Sequence, residues 1–154
     1  MGLAHALLIA AAAGTLGCGD MASMMGDGSV DGMGMGGNMD PRNFPTNGET
    51  IFRTGHNQSG VPVQDLGKSA MNMMVHSCQM CHGADGRGMG MRAPSIRFQD
   101  LSDPTQYAVP YTEDLLKRFL DQEIKSDGTH ANTGVAWKMS VQDEDDLIIF
   151  LKIL

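Results

Sequence analysis

The sequence predicts an all-α domain at residues 47–154 of a 154-residue chain. Two segments, 112–124 and 140–154, place apolar residues at helical spacing behind residues that typically cap helices. No pair of segments shows the alternation that is typical of paired strands. Residues 1–18 and 19–46 carry no pattern of a packed element, so both are predicted to lie outside the folded domain.

The composition excludes several classes of function. The chain has 18 acidic and 11 basic residues, which gives a net charge of −7. That charge argues against nucleic acid as a partner and against electrostatic binding to anionic lipid, because both need a positive surface. Aromatic residues make up only 5%. The core must therefore take its volume from aliphatic side chains, methionine or a cofactor.

The first eighteen residues predict export. Residues 3–16 are almost wholly apolar and have the length of a signal-peptide core, which is too short for a membrane span. The run ends at Thr15-Leu16-Gly17-Cys18, which resembles the lipobox of bacterial lipoproteins and implies a lipid anchor on Cys18. A simple cleaved signal and a retained anchor are the alternatives. All three predict a location in the periplasm or at the outer face of a bacterial membrane.

Residues 19–46 are predicted to form a flexible tether. They consist largely of Gly, Met, Asp, Ser and Asn without helical or strand periodicity. A coil of this length has a reach of roughly 30 Å, which would let an anchored domain sample its partners. Thioether sulfur suits Cu(I), so a copper-gathering tail is the alternative to a plain linker. The methionines concerned are Met21, Met24, Met25, Met33, Met35 and Met39.

Residues 78–82 read Cys-Gln-Met-Cys-His, which is the attachment motif of c-type haem. Thiols at Cys78 and Cys81 can reach the two vinyl groups of one porphyrin edge, and His82 then becomes the proximal iron ligand. A redox dithiol would need a βαβ setting, and none surrounds the motif. A zinc site needs four ligands, but the mature domain has no other cysteine. A disulfide across two residues is strained. The motif therefore predicts one covalent haem c.

From residue 47 to residue 154 the chain resembles the monohaem class I cytochromes c. A glycine-rich loop follows the attachment motif, and Pro94 lies twelve residues after His82. In the family, the carbonyl oxygen of a proline at about that distance accepts a hydrogen bond from Nδ1 of the proximal histidine. Gly48 and Phe52 resemble the glycine and aromatic of the family's first helix, which pack on the last helix. The resemblance implies a helical domain wrapped around one haem.

Residues 54–75 depart from the compact members of the family, in which the first helix runs almost directly into the attachment motif. The glycines and the proline of this insertion predict a loop or a short hairpin. Ala70-Met71-Asn72-Met73-Met74 then predicts a Met-rich helical turn beside the haem. Its methionines are interpreted as soft packing.

Two amphipathic helices are predicted near the end of the domain. Thr112 can cap the first, whose apolar residues are Leu115, Leu116, Phe119, Leu120 and Ile124. Ser140 can cap the second, with Asp143 at the third position of a short capping box. Four consecutive acidic residues follow at 143–146, where the helix dipole favours them.

The sixth iron ligand is expected from the loop before the last helix, where the family usually supplies a methionine. Met139 is the only methionine of that loop and is the candidate distal ligand, or else it fills the core. Gly134 stands where relatives with a tryptophan at the position of Trp137 tend to carry the ligand. His130 is the alternative ligand, and an open site is the third reading.

These features predict an electron carrier rather than an enzyme, either free or as the haem subunit of a larger oxidoreductase. The acidic surface predicts protein redox partners with basic docking patches. The alternative function is a haem protein whose open sixth position binds a small gas or peroxide.

Overall fold

The computed structural model describes residues 40–70, 75–89 and 93–154. The predicted signal peptide, the predicted anchor at Cys18 and residues 19–39 of the predicted tether lie outside the described residues, as do residues 71–74 of the predicted Met-rich turn. The last residues of the predicted tether contact the domain. Thr50 Oγ1 donates to the carbonyl oxygen of Pro41 at 3.3 Å, and Gln58 Nε2 donates to that of Phe44 at 3.0 Å.

The described part of the chain contains five α-helices, which are preceded by a short 3-10 helix, Pro41–Asn43. They are α1 (Asn47–Thr54), α2 (Cys78–His82), α3 (Phe98–Leu101), α4 (Glu113–Gln122) and α5 (Val141–Ile153). No β-strand occurs in these ranges, which contain only isolated bridges. The predicted all-α class is confirmed. None of the described helices has the length and apolar character that crossing a membrane requires.

Helix α1 lies directly on α5. A Cβ atom at Gly48 would come within 2.0 Å of the backbone oxygen of Asp146, so only a glycine permits this approach. One turn later the Phe52 ring, which is fully buried, packs against Phe150 with ring centroids 5.3 Å apart. The expected packing of Gly48 and Phe52 on the last helix is confirmed.

Side-chain caps define where the long helices begin. Ser140 Oγ accepts from the Asp143 backbone at 3.1 Å, and Asp143 Oδ2 accepts from the Ser140 backbone at 3.3 Å, which confirms the capping box. Thr112 Oγ1 accepts from the Leu115 backbone at 3.3 Å and caps α4, as predicted. The predicted end of α4 is wrong by two residues. Glu123 has a left-handed φ of 54°, which ends the helix before Ile124.

The core lies between α1, α4 and α5. Its buried apolar residues are Ile51, Phe52, Val63, Leu101, Tyr111, Leu116, Leu120, Leu147, Ile148, Phe150 and Leu151. Aliphatic side chains dominate, as the low aromatic content requires. At α4 the core borders a cavity. Leu116 and Tyr111 line this cavity together with residues of the predicted attachment motif.

The insertion begins with a tight turn. His56 and Pro62 form an isolated antiparallel bridge, and the Asn57 amide donates to the Val61 carbonyl at 2.9 Å. The short hairpin is therefore the alternative that the structure favours, although it has no regular strands.

Residues 63–70, which we call the brace, run antiparallel to the loop before α5. The Asp65 amide donates to the carbonyl oxygen of Ala136 at 2.8 Å, and the Ala70 amide donates to that of Gly134 at 2.9 Å. This part of the insertion is thus paired with the loop from which the distal iron ligand was expected.

Candidate functional site

A cavity of about 500 Å³ opens beside the core, and Cys78, Cys81 and His82 of the predicted attachment motif line it. The wall opposite the motif comes from the residues before and within α4 and from the loop before α5. Most of the lining is apolar. It includes Ala93, Ile96, Leu101, Tyr107, Tyr111, Leu116, Phe119, Val135 and Trp137.

Both thiols come from α2, a helix of little more than one turn. Residues three apart share one face of a helix, which is why Cys78 and Cys81 both reach the cavity. They are free thiols and form no disulfide. Burial raises the pKa of the Cys78 thiol to about 12. A redox dithiol needs the opposite shift, because the thiolate is the reactive species.

A zinc site finds no support either. Among the residues that the structure describes, no group of three or more His, Cys, Asp and Glu side chains is arranged to hold a metal ion. The thiols and the imidazole of the motif therefore do not form a closed set of protein ligands of the kind a structural zinc needs.

The imidazole of His82 is held from the loop that follows. Its Nδ1 lies 2.7 Å from the carbonyl oxygen of Pro94. A carbonyl oxygen can only accept, so Nδ1 carries the proton and Nε2 keeps its lone pair. Burial lowers the pKa of His82, and the bond to Pro94 opposes this shift. A neutral imidazole held at one nitrogen by a backbone carbonyl is the usual state of a metal-ligating histidine.

The glycine-rich loop brings Pro94 back to His82. The Gly88 amide donates to the His82 carbonyl at 2.8 Å, and the Met89 amide donates to the Ala93 carbonyl at 2.9 Å. Gly88 has a φ of 84°, and a Cβ atom there would lie 2.1 Å from the Ala93 oxygen. The loop can double back on α2 only because this residue has no side chain.

The distal candidates lie elsewhere. Met139 is half-buried and packs against the core cluster, and His130 is exposed. Neither belongs to the cavity lining that the structure describes, which also contains no methionine. Their role as iron ligands stays a prediction. Trp137 lines the cavity and packs against the core.

Two polar residues that shape the cavity were not predicted from the sequence. Lys125 is the only lysine or arginine in the described lining, and Arg118 Nη2 fixes its turn by donating to the Lys125 carbonyl at 2.7 Å. Gln64, in the brace, holds the backbone of His76, which lines the cavity two residues before Cys78. No local pattern marks either residue, because each acts through contacts that only the folded chain creates.

The chain was compared with protein-family models, with curated proteins and with solved structures. None of the three comparisons found a significant match.

Proposed function

We propose that this protein is an electron carrier that holds one haem c covalently in the cavity. Cys78 and Cys81 would form the thioether bonds, and His82 would be the proximal iron ligand. The observation that carries the proposal is the contact of His82 Nδ1 with the Pro94 oxygen, beside two free thiols in one apolar cavity. A redox dithiol would not need that contact, and a structural zinc would need further ligands that the described residues do not supply.

The residues present fit the group. Both thiols share one face of α2, the lining is largely apolar, and the imidazole is neutral with Nε2 available. Lys125 offers a positive charge in the lining that suits the carboxylates of a porphyrin. Once bound, haem c supplies reversible one-electron chemistry.

The chain itself would bind the haem, orient it and shield it from water. Pro94 fixes the ring of His82, and the apolar lining restricts water, which sets the potential of the bound group. Cys81 and Pro94 are exposed, so the attachment edge of the cavity lies near the surface where a redox partner can approach. The roles that these residues support are binding, orienting and shielding the group, which is the reason for proposing a carrier rather than an enzyme.

The net charge of −7 supports protein partners with basic docking patches. The apolar run at residues 3–16 and the lipobox-like end at Cys18 support export and a lipid anchor. The protein would then work in the periplasm or at the outer face of a bacterial membrane.

The test is to produce residues 19–154 behind a cleavable export signal in a bacterial cell with working haem-ligation machinery. We expect a coloured protein with the added mass of one haem that acid-acetone extraction does not remove. The matched control replaces both Cys78 and Cys81 by serine and should yield a colourless chain. A colourless parent protein without added mass would refute the proposal.

An open sixth position is the second candidate, and it is favoured by the lack of a methionine in the described cavity lining. Such a protein would bind a small gas or peroxide instead of only passing electrons. Carbon monoxide distinguishes the two functions. Fast and complete binding to the reduced protein supports the open site, and refusal supports the carrier.

A further inference from the structure

Gln64 is a buried polar side chain that the proposed function does not use directly. Only 4% of its surface is exposed. Its Nε2 donates to the carbonyl oxygen of His76, and its Oε1 accepts from the His76 amide at 3.0 Å. A side-chain amide thus exchanges the same pair of hydrogen bonds that two residues exchange in an antiparallel ladder.

The backbone of Gln64 faces the other way. It forms an isolated antiparallel bridge with Trp137. On either side, the Lys138 amide donates to the Val63 carbonyl at 2.8 Å and the Asp65 amide donates to the Ala136 carbonyl at 2.8 Å. One residue therefore contacts the segment that leads into α2 through its side chain and the loop before α5 through its main chain.

Helix α2 depends on such outside support. It has five residues, and Ser77 at its N-cap makes no side-chain capping bond. An isolated helix of this length has no stability of its own, because the cost of nucleation is not recovered. Gln79, within α2, anchors the helix to α1, because its Nε2 donates to the Arg53 carbonyl at 2.9 Å. Gln64 holds the residues just before it.

We propose that Gln64 is a positioning residue that joins the two walls of the cavity. It holds His76, and with it the entry to Cys78, at a fixed distance from the loop that carries Trp137. The role of Gln64 toward the haem rests on the proposed function, but the joining of the two walls does not. Loss of the amide would remove its hydrogen bonds to both backbone groups of the half-buried His76 and would let water into the cavity.

The test compares Gln64→Met with two matched controls. Gln58→Met makes the same change at an exposed glutamine of the same insertion, whose side-chain amide donates to the Phe44 carbonyl. Ser69→Ala removes a buried contact of the brace with the Ala136 amide, 3.0 Å long, and leaves Gln64 and His76 intact. Ser69→Ala therefore reports what simple weakening of the brace does.

In Gln64→Met we expect the His76 amide to exchange its hydrogen about tenfold faster, since losing a hydrogen bond worth about 1.4 kcal/mol corresponds to that factor. The fluorescence of Trp137 should shift to the red, and the midpoint potential of the haem protein should fall because more water reaches the cavity. Gln58→Met should change none of these, and Ser69→Ala should leave the His76 exchange rate unchanged.

Unchanged exchange at His76 with an unchanged potential would overturn the inference. The same changes in Ser69→Ala would overturn it too, because they would show general destabilisation. If Gln64→Met does not fold, Gln64→Asn serves instead, since it stays polar but is one methylene too short to reach both His76 groups. Hydrogen exchange and fluorescence need no haem. A colourless protein in which Gln64 still controls His76 therefore refutes only the proposed function.

Discussion

The two sides of the cavity are built from contacts of very different range along the chain. On the proximal side, residues 78–97 supply the thiols, the imidazole and the Pro94 carbonyl, and the farthest of these partners are His82 and Pro94, twelve residues apart. On the distal side, the loop at 130–139 is shaped by the brace, and the bond from Ser69 to Ala136 spans 67 residues. The residues of the proximal side can be deduced from a motif, although α2 itself is held by a bond between Gln79 and Arg53, 26 residues apart. The shape of the distal side depends on the whole fold.

The largest expected effect tests how tightly the proximal loop is constrained. Gly88→Ala should destabilise the fold by about 3 kcal/mol or more, because a left-handed backbone costs about 1–2 kcal/mol and the new Cβ would also collide with Ala93. Gly128→Ala is the control, since Gly128 has a similar φ of 86° but nothing within 4 Å of the added atom. Urea unfolding measures both variants. Equal losses would show that the collision is relieved without cost.

A smaller effect concerns the helix that follows the distal loop. Glu144 on α5 is only 5% exposed. Burial, and then the nearby Asp121 carboxyl, raises its pKa from 4.5 to about 7, while Lys117 opposes the shift. The folded chain therefore holds this proton more tightly than the unfolded chain does. The contribution of Glu144 to stability is present below about pH 4.5 and is lost as the pH rises through about 7.

Glu144→Gln should abolish this loss of stability at high pH, because the glutamine side chain does not ionise. We expect the variant to be more stable than the parent by roughly 1–3 kcal/mol at pH 8, with the difference shrinking toward pH 4.5. Urea unfolding across that range is the measurement. Glu113→Gln is the control, because Glu113 is exposed and pairs with Lys152 at the surface, and it should shift stability by less than about 1 kcal/mol throughout. A difference that grows toward acid pH would contradict the assignment.

The smallest expected effect is at Met139. Because it packs against the core, Met139→Leu should keep the volume and change stability by less than about 1.5 kcal/mol. The near-infrared sulfur-to-iron band, if the oxidised haem protein has one, should remain. Met80→Leu, at an exposed methionine of α2, is the control. Loss of the band in Met139→Leu alone would instead assign Met139 as the distal ligand.

Local signals predicted a good part of this fold. The caps at Thr112 and Ser140 were visible because each depends on a few neighbouring residues. The close approach at Gly48 and the contact between His82 and Pro94 were expected from the resemblance. The end of α4 was predicted wrongly, since apolar spacing continues to Ile124 while the backbone already turns at Glu123.

The distal wall could not be predicted in the same way. Gln64 looks like any polar residue of a loop, and its burial follows from the pairing of the brace with the loop before α5. The placement of Met139 likewise depends on how the core packs around it. Long-range contacts of this kind leave no periodic or short-range pattern in the sequence.

The contact of α1 with α5 also sets an order of events during synthesis. Asn47, at the start of α1, donates to Asp146, which the ribosome adds 99 residues later. Contacts this distant in the chain form late in folding. The nascent protein therefore cannot close its core until α5 has emerged, and throughout that interval the two thiols between these helices stay open to any enzyme that modifies them.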